Sequence, residues 1–159
     1  MIRDANIHDL SAIRDLQIAS WQRSYAGLLP ETFLQTDVVE ILTARWRAIP
    51  GAHWIILTAR RDSSLQGFVT VDRTHQGGPY VDNLHVARSA QGKGVGRALM
   101  ANAAQHLVSE GQNALWLTVI QENHQARAFY RSIGGHEGAV QQELLYDQPV
   151  TTHPVRWSE

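Results

Sequence analysis

Gln91-Gly92-Lys93-Gly94-Val95-Gly96 stands between an apolar, strand-like run and a long amphipathic helix. Glycines at three alternate positions leave the backbone almost bare where that helix begins. The first N–H groups of a helix lack intrahelical partners and carry the positive end of its dipole, so the stretch suits a phosphate. Two familiar loops fit it poorly. A P-loop requires Gly-x-x-x-x-Gly-Lys-Ser/Thr, but Lys93 is followed by Gly94, which has no hydroxyl for magnesium. A dinucleotide turn requires Gly-x-Gly-x-x-Gly near a first strand, whereas this is Gly-x-Gly-x-Gly past the midpoint of a 159-residue chain. The bland alternative is a flexible turn. Glycine within a helix costs about 0.5–1 kcal/mol relative to alanine, so three without purpose would be wasteful.

Outward from the loop, the residue pattern predicts a strand at 80–86 before it and a helix from Gly94 to Ser109 after it. Val95, Leu99, Ala103 and Leu107 form a stripe on that helix that packs on a sheet. Ala114–Ile120 is apolar on both faces and reads as a central strand. A short helix over 124–132 stops at Gly134-Gly135. Toward the N-terminus, a strand at 2–5, helices near 10–24 and 31–48, and a hairpin of strands 53–60 and 65–72 are expected. Strands at 136–146 and 153–158 complete a mixed sheet with helices on it, in one domain over 1–159.

Read as Gln-x-x-Gly-x-Gly, with Gln91, Gly94 and Gly96 directly after Asn83-Leu84-His85-Val86-Ala87-Arg88, the loop resembles the pyrophosphate loop of the GCN5-related N-acetyltransferases (GNAT). Asn123-His124-Gln125-Ala126-Arg127-Ala128-Phe129-Tyr130-Arg131-Ser132-Ile133-Gly134 resembles that family's Asn-x-x-Ala-x-x-Phe-Tyr-x-x-x-Gly segment. Taken alone, this second segment reads first as a core aromatic behind a capped helix. Together, in this order, the two carry the resemblance over residues 80–134.

The resemblance implies an α/β (α+β) fold: a mixed, mostly antiparallel sheet of six to seven strands, flanked by about four helices, with two splayed parallel central strands. It implies acetyl-CoA as co-substrate and direct transfer of acetyl to a primary amine of a small molecule or peptide through a ternary complex. The backbone of Leu84, His85 and Val86 would pair with the pantetheine arm, with Asn123 and Ala126 beside it. The N–H groups of Gln91, Gly92, Lys93, Gly94, Val95 and Gly96 would hold the pyrophosphate, and Arg88, Lys93 and Arg97 offer cations. Tyr130 occupies the family's general-acid position and also adjoins the arm. Two alternatives stay open: a non-catalytic acyl-CoA-binding sensor, and an enzyme using a longer acyl donor.

An alkyl amine with a pKa near 10.4 is about one part in 2,000 neutral at pH 7, so the acceptor must be deprotonated. Asp82 and His85 are candidate bases, followed by Glu122 and His124. Strict strand alternation sets Asp82 with Leu84 and Val86 and puts His85 on the other face; a bulge would change that parity. Trp21 and Tyr25 are candidate acceptor-pocket walls, with Arg23 and Arg45 for an acceptor carboxylate. Trp46 reads first as a helix anchor.

Composition bounds the rest. Net charge is −1, which supplies no basic field for nucleic acid or anionic membrane. Cysteine is absent, removing disulfides and thiolate chemistry. Eight histidines lack metal-ligand spacing, since Val140 stands where His136-Glu137 would need its second histidine, and no metal is expected. A cytoplasmic monomer or homodimer is expected, without membrane or nucleic-acid partners.

Overall fold

β-Branched residues crowd Trp54–Arg61 (β2) and Ser64–Asp72 (β3), and the two strands form a hairpin closed at Arg61↔Ser64. Ile2–Asp4 (β1) adds to β2, and Tyr80–Val86 (β4) adds to β3, both antiparallel. Ala114–Ile120 (β5) lies parallel to β4. The computed structural model describes residues 1–158. His136–Glu137 (β6) and Gln141–Leu145 (β7) both pair with Gln148–Ser158 (β8), which is itself antiparallel to β5. The sheet runs β1-β2-β3-β4-β5-β8-β6, with β7 also on β8.

Alternation along β2 and β3 supplies two apolar faces. Ile55, Leu57, Val69 and Val71 pack under Leu99, Ala103 and Leu107 of Val95–Ser109 (α3). Ile56 and Phe68 point the other way, against Leu10 and Ile13 of Leu10–Ser24 (α1) and against Trp46. Trp46 follows Val38–Arg45 (α2) and is 3% exposed, so it is the helix anchor its pattern suggested. His124–Ser132 (α4) joins the α3 side through Ala126 and Tyr130.

Three expectations needed correction. The second helical region runs over 31–45, ending short of 48, and contains a wide π-helical turn over Phe33–Asp37 ahead of α2. The region 136–146 holds two strands, which brings the sheet to eight. The last strand starts at 148, well before 153, with Pro149 and Pro154 inside it. Proline usually marks a strand's end or edge, which is why the pattern hid this start. The connecting turn uses Tyr146 and Asp147 at φ 46° and 66°, left-handed positions normally filled by glycine or asparagine.

A buried carboxylate ties α1 to the sheet's β1 edge. Asp9, 1% exposed, accepts from Arg3 at 2.8 and 3.0 Å, Arg60 at 2.6 and 3.1 Å, and the Asn6 N–H at 2.8 Å. Burial alone would raise its pKa; the hydrogen bonds from Arg3, Asn6 and Arg60 outweigh that and hold it at about 2. A depressed folded pKa stabilises above the unfolded value near 3.8, and that contribution fades as pH falls toward 2. Asp9→Asn is therefore expected to lose about 2 kcal/mol in urea unfolding at pH 7, with the gap to the parent protein shrinking below pH 4.

Candidate active site

β4 and β5 touch at one end. Tyr80↔Trp116 is their sole registered pair, supported by Trp116 N–H donating to Pro79 O at 3.1 Å. The rings of Tyr80 and Trp116 meet edge to face at 4.7 Å, His75 stacks on Tyr80 at 4.3 Å, and Tyr80 Oη lies 3.1 Å from Thr118 Oγ1. Beyond this pin the strands diverge. Ala87 N–H donates to Gln66 O at 2.8 Å on the β3 side. Strand alternation therefore turns the peptide groups of Val86 and Leu84 the opposite way, toward β5, where no strand meets them. A cleft of about 520 Å³ fills the opening, lined on these edges by Leu84, Val86, Leu117 and Val119.

The register of β3 on β4 shifts between Thr70↔Asn83 and Val71↔Val81, leaving Asp82 as an extra residue. This bulge overturns strict alternation. Asp82, Asn83 and His85 share the α1–α2 side, while Val81 and Leu84 pack toward α3. A polar chain results. Trp46 Nε1 donates to Gln17 Oε1 at 2.6 Å, and Gln17 Nε2 donates to Asn83 Oδ1 at 2.7 Å. His85 Nε2 lies 3.4 Å from that same oxygen, and its Nδ1 lies 2.8 Å from Ser20 Oγ. Since Asn83 Oδ1 only accepts, Nε2 carries the proton and Nδ1 accepts from Ser20. Burial, with Arg23 nearby, pushes His85 down to about 4, so it stays neutral near pH 7. Asp82 Oδ2 takes Arg45 Nη2 at 3.2 Å and Asn83 Nδ2 at 3.1 Å. Burial raises the Asp82 pKa, and Arg45 partly offsets that.

At the other end, Gly94 caps α3 at φ 82° and Gly92 sits at φ 75°; a Cβ on either would meet nothing within 4 Å. Gly96 differs. A Cβ there would come 3.1 Å from Phe129 and 3.6 Å from Val86, so this glycine lets α4 close on α3. Asn123 caps α4, accepting from Ala126 N–H at 3.2 Å, and lines the cleft with Ala126 and Tyr130. Burial pushes the Tyr130 phenol well above its usual value, and Tyr25 and Tyr80 add to this. Arg97 lines the cleft; Arg88 and Lys93 are exposed and do not.

Residues 11–134 match the model of the acetyltransferase (GNAT) family. The chain belongs to the GNAT family. The uncharacterized N-acetyltransferase YuaI of Bacillus subtilis is 26% identical over 129 residues, covering 77% of this chain and 72% of that protein. PaiA N-acetyltransferase of Thermoplasma acidophilum, solved with coenzyme A, superposes with TM-score 0.73 at 18% identity, over 100% of this chain and 98% of that one. YncA of Salmonella typhimurium, solved with acetyl-CoA, gives TM-score 0.71 at 14% identity, over 99% and 92%. A GNAT protein of Rhodopseudomonas palustris gives 0.78 at 16% identity, over 100% and 95%. The chain is thus an acyltransferase with the GNAT fold. No helix among the described residues is long and apolar enough to cross a membrane.

Within this GNAT cleft the structure gathers Trp21, Tyr25, Arg23, Asp82 and His85 on one wall. It leaves out Glu122 and His124, which are exposed and do not line it, so neither is placed to act as the base. Arg45 is taken by Asp82 and does not reach the cleft, so it is not an acceptor contact. Glu143, Leu145 and Thr152 of the β7–β8 hairpin line it and were not anticipated. The period-two pattern marked those strands, but not which end of the sheet they would reach. The glycines also separate in kind. Gly96→Ala is expected to lower stability by about 1–2 kcal/mol through overpacking, and Phe129→Leu in the same chain should restore part of it. Thermal melting of the single and double variants checks this; a loss that Phe129→Leu leaves untouched would show that Gly96 serves something other than helix contact.

Proposed function

We propose that this protein is an acetyl-CoA-dependent N-acetyltransferase that transfers acetyl directly to a primary amine within a ternary complex. One observation carries the reading: a single cleft runs from the bare glycine turn, along the unpaired edges of Leu84 and Val86, to a phenol and a polar wall. The residues fit the donor. Open space over Gly92 and Gly94 leaves the α3 N-terminus accessible to pyrophosphate, while the outward peptide groups of Leu84 and Val86 match an amide-bearing arm laid in as an extra strand. Acetyl-CoA supplies an activated thioester acyl group.

The chain's own residues manage the protons. In the transfer, the amine nitrogen bonds to the acyl carbon, the carbon–sulfur bond breaks, the amine releases a proton and the sulfur leaves as thiolate. Tyr130, held protonated by burial, donates a hydrogen bond to that sulfur. Its phenol is a weaker acid than a thiol, so the thiolate takes its proton finally from solvent. The Val86 N–H, turned into the opening, is available to the developing oxyanion. Burial makes His85 a poorer base than free histidine and Asp82 a better one than free aspartate. Both contacts assigned to Asp82 fall on Oδ2, which leaves Oδ1 to accept an amine N–H at the cleft wall. His85, by contrast, orients Ser20.

Thiol release from acetyl-CoA across amino acids, polyamines, aminoglycosides and peptide N-termini tests the activity. Tyr130→Phe is expected to lower kcat by roughly 10–100-fold with little change in donor KM. Because His85 stays neutral and Tyr130 protonated, log kcat/KM should rise steadily from pH 6 to 9 with the acceptor's own ionisation. A break near pH 6.5 that His85→Gln removes would make His85 the base. No thiol release with any amine would overturn the enzyme reading.

A further inference from the structure

At the β7–β8 hairpin the cleft is lined by a carboxylate and a hydroxyl without partners among the described residues. Glu143 lines it from β7, opposite Val150 of β8. Among the described residues, Glu143 forms no ion pair. Thr152 lines the same cleft, is 2% exposed, and among the described residues its Oγ1 has no hydrogen-bond partner. A buried hydroxyl left unpaired is costly, which points to a polar group arriving from outside.

Aromatic rings surround this end. Tyr25, Leu145, Ile120 and Val150 share one apolar cluster, and Trp21 packs on Tyr25 at 4.7 Å and on Tyr146 at 5.5 Å. Three of the chain's four tyrosines, Tyr25, Tyr80 and Tyr130, line the cleft. Burial, then Tyr80, then Glu143 push Tyr25 up to about 12, and Glu143 also raises Tyr80. Tyr130 packs with Leu84 and Trp157 in the α3-side cluster, whereas Val150, opposite Glu143, packs with Tyr25 in the other. Tyr130 and Glu143 therefore line the cleft from different clusters.

That separation decides which nitrogen Glu143 serves. The reacting amine must lose its proton, and an unpaired carboxylate beside it would hold the proton on. Asp82 is neutralised by Arg45, so it does not impose this penalty. Glu143 has no such partner among the described residues, and it lines the cleft on the Tyr25 side, away from the Tyr130 cluster. Carboxylate and aromatic faces together favour an ammonium ion. Arg23 and Arg97 also line the cleft without an ion pair among the described residues, Arg23 on α1 and Arg97 at the start of α3.

We propose that Glu143 holds a second, non-reacting ammonium group of the acceptor, with Tyr25 and Tyr80 as walls and Thr152 beneath, so that the acceptor is a diamine or longer polycation. The proposal rests on reading the cleft as that of an amine acetyltransferase. Three probes of equal length test it on the full chain with coenzyme A present: 1,5-diaminopentane, 1-aminopentane and 5-aminopentanoate. By calorimetry, the parent protein should bind the diamine at least about tenfold more tightly than the monoamine, as expected for one charge-assisted contact. Glu143→Gln should erase that preference, Glu143→Asp should keep part of it, and coenzyme A affinity and melting temperature should not move. Equal affinity for the two amines, equal weakening of both by Glu143→Gln, or preference for 5-aminopentanoate would overturn it. Glu143-dependent diamine binding without thiol release would support the subsite and overturn the acetyltransferase reading. Amine acetylation with no dependence on Glu143 would do the reverse.

Discussion

Beyond Tyr80 and Trp116 the two central strands stop pairing, and two rows of peptide groups are left without a neighbour inside the sheet. Unpaired backbone groups are costly away from water, and an exposed strand edge invites another strand. The pin at Tyr80–Trp116 and the bulge at Asp82 hold this opening in place, since a bulged strand bends away from its neighbour. The remaining elements fall into place around it. The glycine turn lies at one end, α4 brings Tyr130 to its edge, and the β7–β8 hairpin closes the far side.

The same bulge places the polar groups. Without the extra residue, Asp82 would point toward α3 with Leu84; with it, Asn83 and His85 join Gln17, Ser20 and Trp46 in one largely buried chain of hydrogen bonds, and Asp82 joins its exposed end through Asn83. A satisfied network of this kind is rigid, because each member's partners fix its orientation. Burial, with Arg23 nearby, holds His85 neutral, although histidine is the residue type best suited to titrate near neutrality.

Much of the fold was legible in the residues. The stripe Val95, Leu99, Ala103, Leu107 gave α3, and the two-sided apolar run Ala114–Ile120 gave a central strand, because each burial pattern has one structural solution. The glycine turn and the Asn123–Tyr130 segment were legible for a similar reason: left-handed backbone and helix capping tolerate few residue types. The acceptor end was not. Its turn uses Tyr146 and Asp147 where glycine would announce a hairpin, prolines mask the start of β8, and Glu143 and Thr152 reach the cleft only through strand order. The face of Asp82 was undecidable as well, since a bulge leaves no mark in a period-two pattern.

The central claim is that the open edge of β4 receives the donor as an added strand. Amide hydrogen exchange, resolved by residue and measured with and without acetyl-CoA, tests it most directly. The Leu84 and Val86 amides should exchange more slowly once acetyl-CoA is bound, whereas Ala87, already bonded to Gln66, should change little. Unchanged exchange at Leu84 and Val86 under saturating acetyl-CoA would contradict the account.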